Sequence, residues 1–164
     1  MQRVAIFPGS FDPFTRGHQM VVEEALKLFD RVVIAIGYNS AKRGFLTPES
    51  RKALIDRVYA NDDRVETTIY STLTGDEARR VGAMTMIRSV RNMQDFDYER
   101  TIDQVNRELF PELNTVLVLV PRSVEHISSS LVRELYTFGH DTQWLLPEGV
   151  VLENYLNEEI INTK

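Results

Sequence analysis

Residues 4–22 read Val4-Ala5-Ile6-Phe7-Pro8-Gly9-Ser10-Phe11-Asp12-Pro13-Phe14-Thr15-Arg16-Gly17-His18-Gln19-Met20-Val21-Val22. A short apolar run, Val4–Phe7, gives way to turn residues and then to apolar residues at helical spacing. That pattern reads as strand, turn, helix, with the helix from about His18 to Phe29. A turn needs a Gly or a Pro, but it does not need a histidine at the helix mouth. His18 stands where free backbone N–H groups and the helix dipole favour an anion. A cationic side chain is unfavourable there unless an anion also arrives. A neutral histidine could instead donate a hydrogen bond to phosphate oxygens, and Gly17 would let the backbone approach a ligand closely. A lone His at a helix start can equally cap and pack, and this stretch alone leaves both open.

The same alternation continues outward. Val32–Ile36 is β-branched and continuous, as expected of a strand buried on both faces. Thr47-Pro48-Glu49 opens a helix, with Thr as N-cap and Pro at the first helical position. Val65–Tyr70 reads as a strand, and Thr74-Gly75-Asp76-Glu77 matches a capping box at the start of a short helix. Met84–Ile87 is a fourth strand, Met93–Leu109 a long helix, and Val116–Val120 a fifth strand. Ser128–Phe138 and Glu148–Ile161 read as closing helices. Strands alternating with helices predict a Rossmann-like, doubly wound parallel five-stranded sheet with helices on both faces. We expect one domain over residues 1–164.

The 164 residues are 43% hydrophobic and 26% charged, with a net charge of −5. An acidic chain argues against non-specific nucleic-acid binding. There is no cysteine, hence no disulfide framework and no thiolate nucleophile or metal ligand. No signal-peptide pattern and no apolar run of membrane-spanning length occurs. The expectation is a cytoplasmic protein with neither a nucleic-acid nor a membrane partner.

In open parallel sheets, ligands bind beyond the carboxyl ends of the strands. Here cations or hydroxyls follow every strand: the opening motif, then Lys42 and Arg43, then Ser71–Thr74, then Arg88, Ser89 and Arg91, then Arg122, Ser123 and Ser128–Ser130. Their convergence on one edge suggests a pocket for several phosphates. Each has a blander role available. Ser128–Ser130 could be N-caps, Arg88 and Arg91 surface ion-pair partners, and Asp95, Asp97 and Glu99 the acidic start of a helix. Neither a Gly-x-Gly-x-x-Gly turn nor a P-loop is present, so the phosphates are held by another device.

Two motifs carry a resemblance. Pro8–His18, with Thr15-Arg16-Gly17-His18 at its end, resembles the first signature of the T/H-x-G-H nucleotidyltransferase superfamily. Ile127-Ser128-Ser129-Ser130-Leu131-Val132-Arg133 resembles the second. Within the superfamily the chain is similar to the bacterial phosphopantetheine adenylyltransferases nearly end to end, through Lys42, Phe45–Arg51, Ile87–Glu99, Asn106–Leu113 and Leu145–Pro147. The resemblance implies transfer of the AMP group of ATP to 4′-phosphopantetheine, giving dephospho-coenzyme A and pyrophosphate. It implies His18 as the transition-state stabiliser. Ser10, Lys42, Leu73, Thr74, Arg88 and Asn106 would bind phosphopantetheine. Ser10, Phe11, His18, Ser89, Val90, Arg91, Glu99, Val124, Glu125, His126, Ile127, Ser128, Ser129 and Ser130 would bind ATP. Mg²⁺ would ride on the ATP phosphates without protein ligands. A homohexamer and feedback by coenzyme A are implied as well. The chain departs from the family where Ser89 and Val90 replace Gly and Leu, and where Val124-Glu125-His126 replace an aromatic residue. Alternatives are a transferase using CTP or nicotinamide mononucleotide, or a non-catalytic nucleotide-binding regulator of the same fold.

Overall fold

The computed structural model describes residues 2–39, 41 and 43–156. The strands are β1 (Val4–Gly9), β2 (Arg31–Gly37), β3 (Val65–Tyr70), β4 (Thr85–Val90) and β5 (Asn114–Leu119). The helices are α1 (Arg16–Ala25), α2 (Pro48–Val58), α3 (Thr74–Val81), α4 (Met93–Leu109) and α5 (Ser129–Thr137). All four strand pairings are parallel, in the order β3-β2-β1-β4-β5. The chain reverses its direction of travel across the sheet between β1 and β4, so the ends of those two strands open a crevice.

Alternate residues of the central strands face opposite layers. Ala5, Phe7, Ile34 and Ile36 point into the larger core, which includes Val21 and Val22 of α1, Leu54 and Ile55 of α2, and Val132 and Tyr136 of α5. Ile6, Ala35 and Met86 point the other way, onto Ala78 of α3 and Phe110. The second layer is thin. The 17-residue α4 has a single buried residue, Glu99, and exposes Met93, Tyr98, Val105 and Leu109.

Local chemistry explains most element ends. Thr47 caps α2 and Pro48 occupies its first turn, as the sequence predicts. The capping box expected at Thr74 does not form: Leu73 is the N-cap and offers no side-chain bond. Glu77 is instead drawn into the sheet, where it accepts from Thr68 Oγ1 at 2.8 Å and from Arg80. Strand β4 runs three residues past the expected Ile87, because Arg88, Ser89 and Val90 keep pairing with Leu117, Val118 and Leu119. Ser89 and Val90 therefore belong to a strand and only Arg91 to the turn. Helix α1 stops at Ala25, short of the expected Phe29. Of the closing helix expected over 148–161, the described part, residues 148–156, holds only a short 3-10 turn at Leu152–Tyr155, and residues 157–164 lie outside the described residues.

Candidate active site

A cleft of about 410 Å³ opens beyond β1 and β4, lined by Ser10, Thr15, Gly17, His18, Ser89, Arg91, Asp95, Tyr98, Glu99, Val120, Ile127, Ser128, Ser129, Ser130 and Arg133. Helices α1 and α5 both begin in its wall, at Thr15–His18 and at Ser128–Ser130. Neither has an acidic residue in its first turn, whereas α2, α3 and α4 each have one or more. Two uncompensated positive helix ends thus face one cavity, a strong arrangement for an anion.

His18 completes the first helix end. Thr15 is the N-cap, and His18 takes the place where a Glu or Gln would close a capping box. The Thr15 N–H donates to His18 Nδ1 at 3.0 Å, and Thr15 Oγ1 lies 3.1 Å from the same nitrogen. A nitrogen that accepts a backbone N–H carries no proton, so neutral His18 bears its hydrogen on Nε2. The ring is packed among Phe7, Phe11 and Phe14. Burial, and secondarily the positive charge of Arg91, push its pKa from 6.5 down to about 4. At neutral pH His18 is therefore an uncharged, rotationally locked N–H donor.

The second helix end is built differently. Ser128 Oγ accepts the Leu131 N–H at 3.1 Å as the N-cap, so its side chain is the helix's own. Ser129 Oγ donates to Pro13 O at 2.8 Å, joining α5 to the opening loop. Ser130 is exposed, and its hydroxyl accepts from Arg133 Nη2 at 3.1 Å. Gly17 meets the protein here: an added Cβ would lie 3.3 Å from Ile127 O, so its bareness serves the approach of α1 to the turn before α5.

Two arginine–carboxylate pairs stand on the β4–α4 side, where Arg91, Asp95 and Glu99 line the cleft and Arg88 lies behind Glu99, in the lining of neither cleft. Arg91 Nε donates to Asp95 at 2.9 Å, holding that carboxyl below its ordinary range despite burial. Arg88 Nε and Nη2 each donate to Glu99 at 2.6 Å, and Arg88 Nη1 reaches Pro8 O at 3.3 Å. Glu99 lines the cleft with both carboxylate oxygens engaged by Arg88.

The remaining expected residues divide by burial. Phe11 has φ 47°, a rare conformation for a non-glycine, and its ring is buried, so it can offer a ligand only backbone. Val90 and Val124 are likewise buried. Glu125 and His126 are exposed outside the cleft, and His126 stacks on Trp144 with centroids 6.0 Å apart. Leu73, Thr74 and Asn106 do not line the cleft. Thr74 Oγ1 lies 2.9 Å from Tyr70 Oη, whose pKa is raised, chiefly by burial. Lys42 lies outside the described residues. Its loop borders a second cleft of about 600 Å³, which shares Ser10 with the first and includes Tyr38, Asn39, Arg43 and Thr47. Sequence reasoning missed Thr15, Asp95, Tyr98, Val120 and Arg133 as cleft residues. The Thr15-x-x-His18 spacing and the Ser130-x-x-Arg133 spacing were the available signals, since both pairs share a helix face.

The cytidylyltransferase-like family model matches residues 6–135. A phosphopantetheine adenylyltransferase of Porphyromonas gingivalis is 46% identical over 152 residues, covering 93% of this chain and 99% of the relative. The chain belongs to the phosphopantetheine adenylyltransferase family. Family members of the same name from Latilactobacillus sakei and Cytophaga hutchinsonii are 44% and 40% identical, over 92% and 90% of this chain. Among solved structures, a bifunctional NMN adenylyltransferase/ADP ribose pyrophosphatase from Francisella tularensis superposes with a TM-score of 0.67 at 18% identity. That likeness covers 92% of this chain and 46% of the other, and it bears on the fold alone.

Proposed function

We propose that the protein joins the AMP group of ATP to 4′-phosphopantetheine, forming dephospho-coenzyme A and pyrophosphate in the synthesis of coenzyme A. The observation that carries the site assignment is the pair of helix N-termini, bare of acidic residues, that converge with the Nε2–H of His18 on one cleft. In this reading the triphosphate lies across that cleft and the acceptor occupies the neighbouring one, with Ser10 between them.

No covalent nucleophile is needed, because the acceptor phosphate is one already. Its oxygen attacks the α-phosphorus in line, forming a new P–O bond. The bond to the bridging oxygen breaks, and its electron pair leaves with pyrophosphate. The protein supplies alignment and charge neutralisation. His18 donates to an α-phosphate oxygen as charge grows there, without proton transfer. Arg91, Ser129, Ser130 and Arg133, which line that cleft, are assigned to the departing phosphates, and the family resemblance assigns Lys42 and Arg88 to the acceptor phosphate. Among the described residues no cluster of His, Asp and Glu could hold a metal ion, and Asp95 and Glu99 are engaged by arginines. This donor set fits a magnesium ion held by nucleotide oxygens and water. When bound, such an ion neutralises phosphate charge.

The proposal extends to a cytoplasmic homohexamer subject to feedback by coenzyme A. Among the described residues no helix is long and apolar enough to cross a membrane. The exposed apolar side of α4, beside the edge strand β5 with its exposed Leu119, offers a surface for further copies. The test is pyrophosphate release with ATP, Mg²⁺ and 4′-phosphopantetheine, with CTP and nicotinamide mononucleotide as alternative substrates. Release that requires ATP and phosphopantetheine together supports the proposal. Release with another pair alone moves the protein to a different transferase reaction, and silence from folded, ATP-binding protein favours a regulator.

A further inference from the structure

Asp12 and Arg51 border the acceptor cleft and have no role in the steps above, yet they are only 8% and 6% exposed. Removing two charges from water is costly unless their polar atoms are met. Here they are. Asp12 Oδ1 accepts the Leu46 N–H at 2.7 Å, and Oδ2 accepts the Phe45 N–H at 2.8 Å and lies 3.1 Å from Arg51 Nη2. Arg51 Nε and Nη2 donate to Leu46 O at 3.0 and 2.7 Å, and Nη1 donates to Ser10 O at 3.1 Å. Arg133 of α5 donates to the Asp12 carbonyl at 2.7 Å. One knot therefore ties the loop that leads to His18, the loop that borders the second cleft, and the start of α2. It leaves no slack: a Cβ on Gly44 would lie 1.9 Å from Arg51 Nη2 and 3.0 Å from Asp12 Oδ2.

A buried ion pair adds little net stability over an apolar replacement, but it does impose geometry. Arg51 holds the Leu46 carbonyl with two nitrogens, the Ser10 carbonyl with the third and the Asp12 carboxylate beside them, in a fixed planar fork that a lysine cannot reproduce. The two joined loops border the two clefts, and Ser10, which borders both, is itself one of the anchor points. We propose that the Asp12–Arg51 pair is a positioning device that keeps the loop of the acceptor cleft in register with His18, so that acceptor phosphate and α-phosphorus meet in line. The inference rests on the transfer reaction proposed above.

The test compares wild type with R51K and G44A, which disturb the knot from opposite sides. For each, kcat is measured by pyrophosphate release at saturating ATP and phosphopantetheine, binding of each substrate alone by calorimetry, and the folded state by thermal melting. A loss of alignment of about 1 Å can cost about 10²-fold in rate. The expected result is a 10–100-fold fall in kcat in both variants, with each dissociation constant within about threefold of wild type. A merely structural pair would lower the melting temperature and leave kcat of the folded fraction unchanged, which overturns the proposal. So does a defect confined to the binding of one substrate, or failure of both variants to fold. Absence of release from wild type with any substrate pair overturns the transfer reaction, and the positioning role falls with it.

Discussion

Acidifying the protein should leave His18 neutral well below the ordinary range of histidine. Its pKa falls from 6.5 to about 4, chiefly through burial among three phenylalanine rings and then through the charge of Arg91. The sign follows from proton counting. In the unfolded chain His18 takes up its proton near 6.5; in the folded chain it does so only near 4. The unfolded state therefore binds more protons between those values, and folding stability drops as pH falls through that window. At about 1.4 kcal/mol for each tenfold change in proton affinity, the difference between those values is worth about 3–4 kcal/mol at most, less whatever solvent screens at the open edge of the ring. Protonation would also turn Nδ1 from acceptor to donor against the Thr15 N–H, breaking the capping box. Long-range ¹H–¹⁵N NMR of the imidazoles reads both quantities, with His18 distinguished from His126 and His140 by comparison with H18N. The expected record is a neutral Nε2–H tautomer that persists to about pH 5 and a midpoint near 4. A midpoint near 6.5, or a proton on Nδ1 at neutral pH, would refute the reasoning.

Three further outcomes are expected. H18A should lower turnover by about 10²–10³, as loss of a transition-state donor does, while calorimetry finds ATP affinity changed far less; parallel losses in both would count against that role. K42A should chiefly raise the KM for phosphopantetheine, so an effect confined to ATP would remove Lys42 from the acceptor site. E99A strips half-buried Arg88 of its buried partner and should destabilise by about 3 kcal/mol in urea unfolding; a change below about 0.5 kcal/mol would mean that solvent screens the pair as it does surface pairs.

The element order and the sheet's parallel character were legible because each strand is a β-branched or apolar run and the helical period resumes after it. Val65–Tyr70 and Met93–Leu109 even have the predicted ends. Misreadings fell where a tertiary partner outbid a local signal. Glu77 fits a capping box in one dimension, but Thr68 on β3 and Arg80 satisfy it better. Ser89 and Val90 look like a turn, but pairing with β5 extends the strand through them.

For the site, local order was enough to mark His18, the serine turn and the arginines after β4, since each lies beside a strand end or helix start. Local order could not show which of them are free to meet a ligand. Ser128 caps its own helix, Ser129 is bonded to Pro13, Glu99 holds Arg88, and the Phe11 ring is buried. By itself the sequence determined that strands and helices alternate, and that polar residues gather at the carboxyl edge, because periodicity and capping act over a few residues. Only the tertiary structure decided which nitrogen of His18 carries the proton and which carboxylate holds which arginine. It alone brought Asp12 to Arg51 across 39 positions of chain, because burial and hydrogen bonding between distant segments depend on distances in space.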